Sequence, residues 1–185
     1  MLKRNEVREC YITFYETNDA AHQIDHADMV CDLMLEMKKS LKLNIADYLI
    51  YMAAYMHDMY SDLAGRKTHH QLAGTYILNT RDKCLDKLSN MDKVCVASAV
   101  MEHRGSYTGE FSYQLSELIS SADRGYPDLE LMIDRSLKYN KGNMNDVIIH
   151  IKDKFGEGGY AIYPDMYEKH FGEVLEKMRL DISFM

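Results

Sequence analysis

Residues 44–60 read Asn-Ile-Ala-Asp-Tyr-Leu-Ile-Tyr-Met-Ala-Ala-Tyr-Met-His-Asp-Met-Tyr. From Ile45 to His57 this stretch is apolar nearly all round, and a helix without a polar face belongs in the middle of a core. It predicts a central helix from Ile45 to about His57, capped by Asn44. The pattern on either side is helical too. Val7, Tyr11, Phe14 and Tyr15 line one face of an opening helix that ends around Thr17–Asp19. Met29, Val30, Leu33, Met34 and Met37 line a second, which stops near Ser40. Further helices are expected at 69–80, 91–103 and 113–123. Pro127, with Asp128 and Glu130 behind it, is a first-turn signal for a helix running to about Tyr139. Lys141-Gly142-Asn143 turns the chain, 144–155 forms another helix, and Pro164 opens the last one after an irregular stretch at 155–160. No stretch reads as a strand. The expected class is all-α, a bundle of eight or nine helices in one domain spanning 1–185.

Composition bounds the partners. The 185 residues carry 22 Lys and Arg against 29 Asp and Glu, a net charge of −7, with 46% apolar residues. An acidic balance disfavours a nucleic-acid duplex or an anionic membrane surface. The longest uncharged apolar run, Tyr48–Met56, is less than half of the roughly 20 residues a membrane span needs. The opening MLKRNEVREC has no apolar segment behind its basic residues, so a secretory signal is not expected. Cys10, Cys31, Cys84 and Cys95 show no Cys-x-x-Cys spacing and read as reduced, mostly buried thiols of a cytoplasmic protein. The fourteen Met and fourteen Tyr read as core and half-buried packing.

Chemistry concentrates at His57-Asp58. Chance alone supplies roughly 0.7 His-Asp dipeptides in a chain of this composition, so the pair means little by itself. Its position gives it weight: it ends the most apolar helix, where an imidazole and a carboxylate must be held by something. Neutral imidazole and carboxylate are natural ligands of a divalent metal. His26, His69, His70, His103 and Asp123 also fall at the ends of expected helices. A bundle that gathers those ends assembles four His and two Asp around one or two ions, with Asp58 able to bridge.

The order His26, His57-Asp58, His70, His103, Asp123 resembles the HD-domain superfamily of metal-dependent phosphohydrolases. The flanks match as well: Asp25-His26-Ala27-Asp28-Met29-Val30, Ala53-Ala54-Tyr55-Met56-His57-Asp58 and Ser121-Ala122-Asp123-Arg124. The resemblance covers about residues 20–140 and leaves 141–185 as a helical extension. It implies that His26, His57, Asp58 and Asp123 bind a first metal, and that His70 and His103 complete a second site. Of the adjacent pair, His70 is chosen over His69 because Gln-Leu-Ala-Gly follows it in the family manner. The chain lacks the Glu that follows His-Asp in the single-metal nucleotidase branch, and the Glu-Asp pair of the alarmone hydrolases. It looks more like the small stand-alone phosphodiesterases, the nucleotide pyrophosphohydrolases and the two-metal diadenosine-tetraphosphate hydrolases.

The activity so implied is hydrolysis of a nucleotide or small phosphoester by a metal-activated water, with Mn, Fe, Co, Mg, Ni or Zn as cofactor and Asp58 as the central catalytic ligand. Arg66, Lys67, Arg104 and Arg124 flank the ligand segments and are expected to hold the phosphate. His22 stands between a substrate contact and a solvated residue, while His150 and His170 read as surface histidines. The stretches 104–112 and 156–163 are expected to cover the pocket. A di-iron oxygenase of the same superfamily and a non-catalytic nucleotide-sensing module are the alternatives, and a homodimer is the default assembly.

Overall fold

The central helix is where the sequence places it. In the computed structural model, α3 runs Asp47–Met56, and Met52 through Met56 are wholly buried. The structure describes residues 2–18, 22–62, 65–139, 143–156 and 158–185, apart from the side chains of Arg66, Lys138 and Tyr139. Among these the chain is all-helical, with α1 Arg4–Tyr11, α2 Ile24–Ser40, α4 Gly65–Asn79, α5 Asn90–Glu102, α6 Gln114–Ala122, α7 Leu129–Tyr139, α8 Met144–Phe155 and α9 Asp165–Ser183. Short 3-10 turns lie at Ile12–Tyr15 and Leu85–Lys87. The expected turn at Lys141-Gly142 and the Glu157 position fall outside the described residues.

Helix starts differ from expectation where capping came from elsewhere. Ala46, in extended conformation, precedes α3, so Asn44 is not its cap. Pro127 stands before the cap of α7 and not in its first turn, because the Asp128 carboxylate accepts from the Leu131 amide at 3.1 Å. Ser89 and Asp92 form a reciprocal capping box on α5. Helix α4 starts a full turn earlier than the apolar pattern indicates, which decides the fate of His69 and His70 below.

Two groups of buried side chains hold the elements. The larger packs α1 to α6 around α3, with Val30, Leu33, Met34 and Met37 of α2, Val96, Ala99 and Val100 of α5, and Leu118 and Ile119 of α6. The smaller joins α7, α8 and α9 through Met132, Val147, Ile151, Phe155, Tyr167, Leu175, Met178 and Ile182. Helix α9 ties the two together: Tyr167 donates its hydroxyl to the Gly125 carbonyl at 3.0 Å, and the Glu117 carboxylate accepts from the Met166 amide at 2.8 Å. His170 is no surface histidine. Its Nδ1 meets Ser40 Oγ at 2.6 Å and its Nε2 meets Glu36 at 3.2 Å, so it fastens α9 to the end of α2.

The cysteines also depart from expectation. Cys10 and Cys84 form a disulfide across 74 residues of sequence, while Cys31 and Cys95 are free thiols. Spacing cannot reveal such a pair, because the contact arises only when α1 packs beside the segment leading into the 85–87 turn. The bond also removes the reduced-thiol argument for a cytoplasmic location. No helix among the described residues is long and apolar enough to cross a membrane. A closed loop of this length restricts the unfolded chain, so Cys10→Ser is expected to lower the unfolding free energy by about 2–4 kcal/mol. Urea denaturation without reductant measures this, and coincident midpoints would show that the cross-link contributes nothing.

Candidate metal centre

Three of the side chains in question sit where helices stop. His57, His103 and Asp123 are the residues at which α3, α5 and α6 end, and Asp58 follows in the turn after α3. His26 lies in the first turn of α2 and His69 early in α4. A carboxylate at a helix C-terminus faces the negative end of the macrodipole. Asp58 and Asp123 thus stand where local energetics disfavour them, and burial makes matters worse. Asp58 is 4% exposed, His57 0% and His103 2%.

Asp58 divides its two oxygens between two sets of imidazoles. Oδ2 lies 3.4 Å from His57 Nε2 and 3.7 Å from His26 Nε2. Asp123 Oδ1 closes this set, 3.0 Å from His26 Nε2 and 3.7 Å from His57 Nε2. Oδ1 of Asp58 faces the other way, 3.1 Å from His69 Nε2 and 3.6 Å from His103 Nε2, and those two nitrogens are 3.4 Å apart. The result is two groups sharing one carboxylate: His26, His57, Asp58 and Asp123, then Asp58, His69 and His103. Within each group the donor atoms lie within 4.8 Å of one another. These buried groups can hold metal ions, since imidazole nitrogen with carboxylate oxygen suits first-row divalent cations.

Tautomers test the fit ring by ring. His57 Nδ1 donates to the Ala54 carbonyl at 2.8 Å, and His103 Nδ1 to the Val100 carbonyl at 2.6 Å. Each bond fixes a proton on Nδ1, so that loss of the Nε2 proton leaves a lone pair aimed at Asp58, the form a metal requires. His69 Nδ1 is buried with no hydrogen-bond partner. His26 differs, because Arg135 Nη2 donates to its Nδ1 at 3.0 Å. A neutral imidazole that accepts at Nδ1 carries its proton on Nε2, so this contact and a metal at Nε2 exclude one another. His26 joins the ligand set only when Arg135 leaves its Nδ1; the other residues fit as they stand.

Charge accounts for the protonation of the cluster. Burial pushes the His57 imidazolium down, but Asp58 and Asp123 outweigh it and hold its pKa at about 9. Burial alone would raise both carboxyls; His57, His103 and His69 hold Asp58 well below the usual carboxylate range, and His26 and His57 do the same for Asp123. Burial prevails at His26 and lowers its pKa.

Behind the cluster, side chains absent from the sequence expectations hold it in place. Asn18 donates to the carbonyls of His22 and Asp58, both at 3.0 Å, and accepts from the Asp62 amide at 3.1 Å, fixing the turn that carries Asp58. Asp28 receives Arg8 Nε at 2.9 and 3.0 Å and the Tyr55 hydroxyl at 2.7 Å, which clamps α1 and α3 to α2 beside His26. Glu102, next to His103, accepts the Ser112 amide at 2.9 Å and pins the loop after α5. Asp28 and Tyr55 lie within the family-like motifs, but as clamps they and the others have no periodicity to reveal them.

The placement of the expected site residues is mixed. His26, His57, Asp58, His103 and Asp123 converge. His69 replaces His70 in the second group, because successive helical residues point about 100° apart and only one of the pair can face Asp58. His70 stays half-buried nearby, its ring centroid 6.4 Å from that of His103. Lys67 is exposed and Arg104 donates to the Lys67 carbonyl at 3.2 Å. Arg124 lines a pocket together with His26 and Asp123, its donors tied to carbonyls of Ile162, His103 and Ser120. The side chain of Arg66 lies outside the described residues. The two expected covering stretches do meet, with the Ile162 amide 3.3 Å from the Gly105 carbonyl.

No family model, curated protein or solved structure matches this chain. Function is therefore argued from the chemistry of the site.

Proposed function

We propose that this protein is a metal-dependent phosphohydrolase of the HD-domain type, acting on a nucleotide or another small phosphoester. The observation that supports this is the bridging position of Asp58, whose two oxygens serve two separate sets of imidazole nitrogens. His57, Asp58 and Asp123, with His26 once Arg135 leaves its Nδ1, would hold one ion, and Asp58, His69 and His103 the other, drawn from Mn, Fe, Co, Mg, Ni and Zn. Ions bound there supply Lewis acidity, lowering the pKa of a water toward neutrality and offsetting charge on phosphoryl oxygens.

The chain's own residues do the positioning. The carbonyls of Ala54 and Val100 fix the ring orientation of His57 and His103, so neither ligand reorganises on binding. The residues that lead into His57, Met52 through Met56, are wholly buried, so the turn carrying Asp58 is anchored in the core. Metal content by mass spectrometry, paired with a phosphatase, phosphodiesterase and nucleotide-release screen in Mn²⁺, tests this reading. The expected result is at least one ion per chain and turnover of a phosphoester. A metal-replete protein inert across the panel sinks it, and O₂ consumption by an iron-loaded preparation would replace it with the di-iron oxygenase reading.

A further inference from the structure

A pocket opens directly on His26 and Asp123, and its far wall comes from the extension beyond residue 140 and the helix before it. Arg135 of α7, His150 and Lys154 of α8, and Arg124 line it together with those two cluster residues. Three of these are permanent cations, and Asp123 is the one carboxylate among the described lining residues. That balance inverts the chain as a whole, where acids outnumber bases 29 to 22. His150 and Lys154 stand four residues apart on one face of α8, the spacing that stacks two side chains one turn apart. Arg135 already reaches the cluster, 3.0 Å from His26 Nδ1.

We propose that this pocket seats a phosphate group of the substrate, bound by Arg135 and Lys154 with His150 on the same wall. The inference rests on the phosphohydrolase reading and names the residues that would deliver its substrate. A guanidinium offers paired donors matched to phosphate oxygens, and a lysine adds a compact positive charge. Arg124 contributes its field from behind, since its donors are engaged by backbone carbonyls. A phosphate here also gives Arg135 a stronger acceptor than His26 Nδ1, which frees that ring for the tautomer a metal needs. The α7–α9 unit thereby gains a role: its small core of Met132, Val147, Ile151 and Phe155 holds the cationic wall against the cluster.

Cations that merely neutralised the cluster would change metal binding and leave phosphate binding alone, so the two roles separate in one experiment. Inorganic phosphate is titrated calorimetrically into the full chain, chelator-treated and Mn²⁺-loaded, for wild type, Arg135→Gln, Lys154→Gln and Lys67→Gln. Lys154→Gln is expected to weaken phosphate by about tenfold, the loss of one charge-assisted hydrogen bond, with metal content and circular dichroism unchanged. Arg135→Gln weakens it at least as much, Lys67→Gln matches wild type, and Lys154→Arg restores binding. Wild-type affinity in both pocket variants overturns the proposal. So does a metal-loaded wild type that binds phosphate more weakly than about 10 mM. Phosphate binding that depends on Lys154 in a chain that takes up no metal would retain the pocket and refute the metal reading instead.

Discussion

Asp58→Asn is expected, if the protein is the proposed phosphohydrolase, to abolish metal binding in both halves of the centre and to lower turnover by at least about a thousandfold. The substitution keeps the volume of the side chain and removes its charge. Each half then loses its share of the bridging carboxylate's charge, because Oδ2 serves the His26–His57 set and Oδ1 the His69–His103 set. The amide leaves one set only a neutral, weaker oxygen and turns its N–H donors toward the other set's imidazole lone pairs, which need a cation. Among the described residues, no other position belongs to both sets. Two measurements check this without relying on activity. Metal content should fall to that of a buffer blank. Wild type in Mn²⁺ at a hundredfold excess over Kd should gain about 2.7 kcal/mol of stability, and the variant should gain none. A variant that retains wild-type metal stoichiometry would show that Asp58 does not bridge.

The second large effect separates two neighbours. His69→Ala is expected to remove one ion per chain and lower turnover by about a hundredfold or more, since it leaves the second set only Asp58 and His103. His70→Ala, one residue away, is expected to keep both ions and stay within about tenfold of wild-type turnover. The distances carry this contrast: His69 Nε2 is 3.1 Å from Asp58 and 3.4 Å from His103 Nε2. The reverse pattern, with His70→Ala the more damaging, would mean that α4 is rotated by about one residue when metal is bound.

The choice between those histidines shows where sequence reading stops. The family-like Gln-Leu-Ala-Gly after His70 favoured that residue, and both rings lie at the edge of an amphipathic pattern that cannot rank them. Helix α4 begins at Gly65 and not at His69, and its rotation against the neighbouring helices sets which ring faces Asp58. The flanking cations tell the same story. Nearness to a ligand placed Lys67, Arg104 and Arg124 in the expected site, and of these Arg124 lines the pocket beside Asp123. The other two cations that line it, Arg135 and Lys154, are 12 and 31 positions after Asp123, the nearest ligand in the chain.

Sequence alone determined the helical class and the central place of α3, which follow from periodicity and unbroken apolarity, both local. The resemblance to a known family, with polar residues stranded at helix ends, picked out His26, His57, Asp58, His103 and Asp123 as candidates, and the packing of the helices brings them together. Tertiary structure alone decided the Cys10–Cys84 pairing, the preference for His69, the carbonyl-bound state of Arg124 and the cationic wall from α7 and α8. Each of these depends on the rotation of one helix against another, or on contacts between distant segments. A repeat of 3.6 residues fixes which side of a helix is buried and leaves open which neighbour it meets there.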